Sequence, residues 1–256
     1  MNKIFLIFLL LFYNVLHAQQ NKAPDEAAKL MRAYPHKVIR YDNNYIIFND
    51  STKLIFDSRE KIVKSHMELI NEASIKDMFV YTYPRDTISQ IKKNQDPGRI
   101  RNTDFFKKMY GETAQDVQKN LKEIVWCPKL VGQKLKVTSI NDVHKRLEKI
   151  SSILDEHPEW KKYLKSAGTF YWRKVRGSNN LSAHSFGIAI DLDIKYSNYW
   201  QWDCKCNDEN VNLPYKNRFP WEIVKIFEDN GFIWGGKWYH YDTMHFEYRP
   251  ELLLNF

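Results

Sequence analysis

Two segments in the last third of the chain carry the side chains best suited to metal chemistry. The first begins at His184 and ends at Asp191, and the second contains Asp242 and His245. Two histidines and one carboxylate are the ligand set of a catalytic zinc site, because three protein ligands leave the fourth position for water. Zinc lowers the pKa of that water toward ~7, which makes hydroxide available at neutral pH. The residue types therefore predict a hydrolytic Zn2+ centre held by His184, Asp191 and His245.

The chain must bend if the first two ligands are to converge. His184 and Asp191 lie seven positions apart, so on one straight strand their side chains would point to opposite faces. Gly187 permits the bend, because glycine tolerates conformations that other residues avoid. Residues 188–193 then alternate apolar and polar, which predicts a strand with Asp191 on the same face as Ala189. The small side chain of Ala189 leaves room beside a metal.

Asp242 is the predicted general base. It lies three residues before His245 and would take a proton from the attacking water and return it to the departing amine. Asp193 competes for this role, but strand geometry places it about 6.6 Å from Asp191 along the strand. Glu247 also competes, although a residue two positions after His245 on one strand face is equally suited to orienting the imidazole. The spacing favours Asp242.

An arginine is expected to contact the substrate. Arg173 ends a strand predicted over residues 169–172, and its planar donor fork suits a developing oxyanion or a substrate carboxylate. Arg176 is the alternative. Either arginine would also be ordinary as a surface cation of a basic protein, so the residues alone leave this choice open.

The remaining histidines and the cysteines are assigned no chemistry. Three cysteines allow one disulfide with one free thiol, or no disulfide, and a structural zinc site on them is disfavoured because such sites use four ligands. The spacing of the two-histidine set is itself not diagnostic. The residues left without a functional role are His17, His36, His66, His144, His157, His240, Cys127, Cys204 and Cys206.

The N-terminus resembles a cleaved secretory signal. Lys3 precedes an apolar run over residues 4–13, and Ala18 is the expected last residue of the leader. A membrane span needs roughly 20 apolar residues, so neither this run nor any later one predicts a transmembrane segment. The net charge falls from +8 to +7 once Lys3 is removed, and a basic exported protein favours anionic envelope polymers. No basic helix or aromatic–basic repeat indicates nucleic-acid binding. We expect a periplasmic or extracellular protein.

The order of elements predicts an α+β fold, in which an antiparallel sheet with flanking helices carries the zinc site. Residues 1–18 form the leader, residues 19–110 an N-terminal region of β-hairpins and loops, and residues 111–256 the catalytic domain, with a boundary near Gly111. Two short hairpins are predicted over residues 37–57 as a decoration of that domain. A helix is predicted over residues 113–125. Ser139 is the predicted cap of a second helix whose apolar stripe is Val143, Leu147, Ile150 and Leu154.

The last elements should deliver the second half of the site. Pro220 opens a helix that ends at Gly231. Residues 232–234, a Gly235–Gly236 turn and residues 237–241 then predict a tight hairpin. That hairpin would place Asp242 and His245 at its far end.

The first metal segment matches a family pattern. Ser182-Ala-His184-Ser-Phe-Gly187-Ile-Ala189-Ile-Asp191 follows Ser-x-His-x-x-Gly-x-Ala-x-Asp. It resembles the signature of the D-alanyl-D-alanine carboxypeptidase family of zinc peptidases, the VanY type, which has L-alanyl-D-glutamate endopeptidase relatives. The resemblance covers residues 168–256 well and residues 113–167 more weakly. It implies hydrolysis of an amide bond in peptidoglycan stem peptides.

The second segment resembles the second motif of that family. The resemblance implies that Asp242 is the base and His245 the third ligand. Tyr171-Trp172-Arg173 is similar, imperfectly, to the arginine context of the family, which favours Arg173 over Arg176. The bond that is cut stays open between the carboxypeptidase and endopeptidase types. A catalytically silent module of the same fold that binds zinc or wall peptide is the alternative, and the intact base and ligands favour the enzyme.

Overall fold

The N-terminal part of the chain builds one helix and one small sheet before the residues that approach the site. The structure is a computed structural model that describes residues 23–58, 63–87 and 92–254, so the predicted leader lies outside the described residues. Helix α1 (Asp25–Ala33) precedes the antiparallel strands β1 (Val38–Asp42), β2 (Tyr45–Phe48) and β3 (Lys53–Ile55), which lie in that order. The two predicted hairpins thus share their middle strand. Helices α2 (His66–Asn71) and α3 (Thr103–Tyr110) follow.

The helix predicted over residues 113–125 is wrong in its second half. Helix α4 (Ala114–Lys119) ends early, and β4 (Leu121–Trp126) pairs along its length with β5 (Gln133–Thr138) in an antiparallel ladder. Ile124 and Trp126 are buried on alternate positions of β4, as a half-buried strand requires. The apolar positions of this short segment fit both the helical and the strand period, so periodicity alone chose the wrong one.

Helix α5 (Val143–Leu154) confirms the predicted stripe but not the predicted cap. All four stripe residues, from Val143 to Leu154, are fully buried. Ser139 does not cap this helix, because a 3-10 turn (Ile140–Asp142) intervenes and Asp142 is the residue before the first helical position. The side chain of Asp142 makes no capping hydrogen bond.

A three-stranded antiparallel sheet carries two of the predicted site residues. Its strands are β6 (Ala189–Asp191), β7 (Phe232–Trp234) and β8 (His245–Tyr248), with β8 in the middle. The flanking helices are α6 (Trp200–Cys204) and α7 (Trp221–Glu228), and Pro220 precedes α7 as predicted. The mixed helical and antiparallel fold class is therefore confirmed.

The hairpin predicted over residues 232–241 is wrong. Strand β7 pairs with β8, and the intervening chain starts with a 3-10 turn (Gly235–Lys237). A Cβ on Gly235 would lie 2.6 Å from the carbonyl oxygen of Asp242, so the chain passes too close for a larger residue. Lys237 is buried and its Nζ lies 2.6 Å from Glu228, which holds the segment away from a second strand.

The strand predicted over residues 169–172 is also absent. Single bridges flank this stretch, at Gly168 with Asp191 and at Lys174 with Leu181. Its backbone is satisfied differently, because Tyr171 donates to the carbonyl oxygen of His184 at 3.2 Å. The stretch is an irregular arm that wraps the first metal segment.

One large hydrophobic core joins both sides of the predicted boundary near Gly111. Leu30, Phe48 and Phe105 from the N-terminal region belong to the same buried cluster as Phe227 and Phe246. The N-terminal sheet therefore packs into the body of the protein, while the boundary stays a prediction. Within the described ranges, no helix has the length and apolar character needed to cross a membrane.

Candidate metal centre and active site

The first metal segment has the bend that the spacing requires. A 3-10 helix (Ala183–Phe186) presents His184, and the hydroxyl of Ser182 accepts its backbone N–H at 3.4 Å. Gly187 then adopts a left-handed conformation with φ of 65°. A Cβ there would come within 2.8 Å of the Leu121 side chain and 3.1 Å of the Thr138 backbone nitrogen. Glycine is thus required twice at this position, by conformation and by space.

The three predicted ligands lie together. Asp191 on β6 is the cross-strand partner of His245 on β8, and its Oδ1 lies 2.9 Å from His245 Nδ1. His184 Nε2 lies 3.1 Å from Asp191 Oδ2. One nitrogen of each histidine and one oxygen of Asp191 all fall within 4.8 Å of one another.

The hydrogen bonds leave the inward-facing histidine nitrogens available as ligands. His184 Nδ1 donates to the carbonyl oxygen of Thr169 at 2.6 Å, so its buried Nε2 can offer a lone pair. This Nε2 lies close to Asp191 Oδ2 but makes no hydrogen bond with the described residues. His245 Nε2 faces Glu247 at 3.0 Å, which leaves Nδ1 facing Asp191. A carboxylate behind a histidine ligand is the usual support of a zinc site. The donor set fits zinc.

The charges at this centre are tightly linked. Burial opposes the shift, but hydrogen bonds to Asp191 and Glu247 raise the pKa of His245 to about 10. Burial likewise works against Asp191, yet the two histidines hold its pKa well below its usual range. His245 therefore carries a proton between two carboxylates, and a cation bound at Nδ1 would replace that proton.

Asp242 provides a carboxylate beside the three ligands. Its Oδ1 is buried and, in the described part of the chain, makes no hydrogen bond. Burial of the carboxyl and the negative charge of Asp191 raise the pKa of Asp242 to about 7. Its backbone N–H donates to the carbonyl oxygen of Gly235 at 3.0 Å, so the early turn after β7 positions it.

The two competing carboxylates are engaged elsewhere. Asp193 accepts the backbone N–H of Lys195 at 2.8 Å and caps a short 3-10 helix (Ile194–Tyr196). Glu247 is fully buried behind His245. The geometry thus favours Asp242 for proton transfer and Glu247 for orienting the imidazole.

The family comparison covers this part of the chain. Residues 176–248 match the family model described as D-alanyl-D-alanine carboxypeptidase. The family resemblance of the motifs is thereby confirmed. All of His184, Asp191, Asp242 and His245 fall within the matched segment. No curated protein and no solved structure gives a significant match to the chain. The match spans 73 of the 256 residues and shows that this segment is similar to the D-alanyl-D-alanine carboxypeptidase family.

Two buried arginines, which no sequence motif singles out, bind Glu247. Arg101 contacts both oxygens of Glu247 through Nε and Nη2, and Arg249 Nη1 donates to Oε1 at 3.1 Å. Arg249 also pairs with Glu251, whose Oε2 accepts the hydroxyl of Tyr34 at 2.6 Å. Burial opposes the ionised form, but Arg101 and then the neighbouring cations hold the pKa of Glu247 well below its usual range.

The metal centre opens into a small pocket that is lined by four arginines. The pocket has a volume of about 120 Å³, and both Arg173 and Arg176 line it. Neither arginine pairs with a carboxylate of the described residues, whereas the other two lining arginines do. Both arginines that the sequence offers as substrate contacts therefore line the pocket, and the geometry does not favour Arg173 over Arg176.

A second cluster adjoins this pocket and includes two histidines that were assigned no role. His66, Asp96, Glu209 and His240 place one donor atom each within 4.8 Å of one another. Arg99 Nη1 lies between the two carboxylates, at 2.8 Å from Asp96 and 2.7 Å from Glu209. The guanidinium thus takes the position that a metal cation would need. This cluster is an ion-pair network that fastens the N-terminal region to the pocket rim.

The thiols stand apart from the site. Cys204 and Cys206 form a disulfide, with a Cα–Cα separation of 5.2 Å. Cys127 is free and fully buried, and burial raises the pKa of its thiol to about 12. A thiol with that pKa is not a nucleophile at neutral pH.

Proposed function

We propose that this protein is a zinc-dependent peptidase that hydrolyses an amide bond in peptidoglycan stem peptides. The supporting observation is that two buried atoms, His184 Nε2 and Asp242 Oδ1, make no hydrogen bond with the described residues. Both residues line the same pocket as Asp191 and His245. His184, Asp191 and His245 would hold the zinc ion. When bound, zinc would supply Lewis-acid polarisation of the scissile carbonyl and activation of water.

Asp242 is proposed to move the proton. Its carboxylate accepts a proton from the attacking water and donates it to the nitrogen of the leaving amine, so that one water is added across the amide bond. A pKa of about 7 suits both halves of this task at neutral pH. The unpartnered Oδ1 is free to take that proton because no other described group binds it.

Arg173 and Arg176 are proposed to bind the charge of the substrate. A guanidinium at the pocket wall donates to the developing oxyanion or to a carboxylate of the stem peptide. Both candidate reactions, D-Ala-D-Ala carboxypeptidase and L-Ala-D-Glu endopeptidase, place a carboxylate near the bond that is cut. The N-terminal leader pattern supports export to the periplasm or the exterior, where the charge of +8 would favour encounter with anionic envelope polymers.

Digestion of purified muropeptides tests this function. Zinc-loaded wild type should release product detectable by mass spectrometry, and Asp242→Asn should lose activity by about 10²- to 10⁴-fold because the amide cannot carry the proton. The variant should still bind one zinc ion per chain. Product from Asp242→Asn at the wild-type rate would exclude Asp242 as base. Zinc-loaded wild type that binds muropeptides without cleaving them would instead support the silent binding module.

A further inference from the structure

A second, larger groove continues from the metal pocket. It has a volume of about 320 Å³, within the usual range for a ligand site. One wall comes from the N-terminal region, through Met67 and Ile70 of α2, and the other from residues 175–180. The groove and the metal pocket share the lining residues Arg99, Arg101, Val175, Arg176 and Gln201. The two cavities therefore form one cleft that extends well beyond the metal centre.

Hydrogen bonds between the walls fix the shape of the groove. Ser178 Oγ donates to the side chain of Asn71 at 2.9 Å, and Asn180 donates to the carbonyl oxygen of Ile70. The hydroxyl of Thr103 in turn donates to Asn180 Oδ1 at 2.9 Å. These bonds tie α2 and α3 to the segment that matches the peptidase family. The groove is thus built by the fold before any ligand arrives.

One of the arginines that line the groove has no carboxylate partner among the described residues. Glu209 contributes a carboxylate to the lining, and both of its oxygens are bound by Arg99, at 2.6 and 2.7 Å. Arg101 is likewise neutralised by Glu247. Arg176 is exposed and has no ion pair or hydrogen bond with the described residues, and it lies where the groove meets the metal pocket. Its guanidinium is therefore available to a ligand.

We propose that this groove binds a further stretch of the peptide substrate, and that Arg176 pairs with a carboxylate in that stretch. The proposal rests on the function proposed above. Met67, Ile70 and Val175 offer apolar contacts to aliphatic parts of the same peptide. The ligand class is an acidic peptide several residues long, so the enzyme selects extended anionic stem peptides over a bare dipeptide. The N-terminal region, which supplies one wall, then determines specificity.

Paired substrates test the proposed contact. One is a stem pentapeptide, which contains both the L-Ala-D-Glu bond and the D-Ala-D-Ala bond, and the other is the same peptide with the carboxylates of its second and third residues amidated. Wild type should cleave the first with kcat/KM higher by about tenfold to a hundredfold, the range expected for a charged hydrogen bond. In Arg176→Gln this ratio should fall close to one, chiefly through KM. Arg176→Lys should keep part of the ratio, because it keeps the charge without the planar fork.

Lys174→Gln is the matched control. Lys174 is an exposed cation two positions before Arg176 and lines neither cavity. It should leave the ratio of the two substrates at the wild-type value. An unchanged ratio in Arg176→Gln, or an equal fall in Lys174→Gln, would overturn the contact in favour of a general effect of net charge.

Calorimetric binding separates this proposal from the catalytic one. If zinc-loaded wild type cleaves neither peptide, the proposed reaction fails, but the groove still predicts tighter binding of the carboxylate form. Wild type should then discriminate between the two peptides and Arg176→Gln should not. Equal binding of both peptides by wild type would reject the groove whatever the outcome for catalysis.

Discussion

Glu247 connects the buried charge network to the candidate metal centre. A glutamine at this position would remove the negative charge and keep the size and shape of the side chain. Glu247 is fully buried and faces His245 at 3.0 Å. A glutamine fills the same space but has one accepting oxygen, which cannot serve both His245 and the arginines. We predict that Glu247→Gln lowers zinc affinity by about 10- to 100-fold, the usual cost of losing the partner of a histidine ligand. That loss corresponds to about 1.4 to 2.7 kcal/mol.

The same substitution should also lower the free energy of unfolding. Arg249 keeps Glu251, whereas Arg101 loses its carboxylate partner while remaining 8% exposed. Removing one partner of a buried ion pair costs about 3 to 5 kcal/mol. Because the folded-state pKa of Glu247 is depressed, its stabilising effect is present above the unfolded pKa of ~4.3 and is lost as pH falls below it. The stability difference between wild type and Glu247→Gln should therefore be largest near neutral pH and shrink in acid.

Zinc titration against a chromophoric chelator measures the first effect, and urea unfolding of the metal-free protein measures the second. Glu251→Gln is the matched control, since Glu251 is a fully buried carboxylate of the same network that is bound by Arg249 and Tyr34. It should lower stability and leave zinc affinity close to that of wild type. Wild-type zinc affinity in Glu247→Gln, or an equal loss of affinity in Glu251→Gln, would refute a specific action through His245.

Two further predictions concern the pocket rim and the bend. Burial opposes the shift, but Arg99 and His66 lower the pKa of Glu209 to about 2, so its stabilisation should be present above the unfolded pKa of ~4.3 and be lost as pH falls toward 2. Glu209→Gln should remove the corresponding loss of unfolding free energy in acid, which is about 1 to 2 kcal/mol after solvent screening. Urea unfolding at several pH values measures it, and a pH dependence equal to that of wild type would contradict the prediction. Gly187→Ala should cost at least about 1 to 3 kcal/mol, because the left-handed backbone and the 2.8 Å approach to Leu121 both exclude a Cβ. Thermal melting measures this loss, and a melting temperature equal to that of wild type would show that the bend is not needed.

The parts of the site that could be predicted from the sequence are determined by residues close to one another along the chain. The bend at Gly187, the strand after it and the helix between Pro220 and Gly231 all follow from short-range signals. The pairing of β7 with β8 does not, because residues 237–241 have strand-like composition, and the close packing at Gly235 and the buried Lys237–Glu228 ion pair divert them. The cluster of four residues around Arg99 could not be predicted either, since His66 and Glu209 are 143 positions apart in the sequence.

The site also depends on residues outside the segment that matches the peptidase family. That segment, residues 176–248, contains the predicted ligands and base, yet Arg101 and Arg249 lie beyond its two ends. Without these arginines Glu247 would be a buried carboxylate without a cationic partner other than His245, and its pKa would rise with burial. A protonated Glu247 could not accept from His245 as a carboxylate, and the imidazole would lose its fixed orientation. The motif can therefore be recognised from a short stretch of sequence, but the electrostatic environment that it needs comes from the N-terminal region and the last turn of the chain.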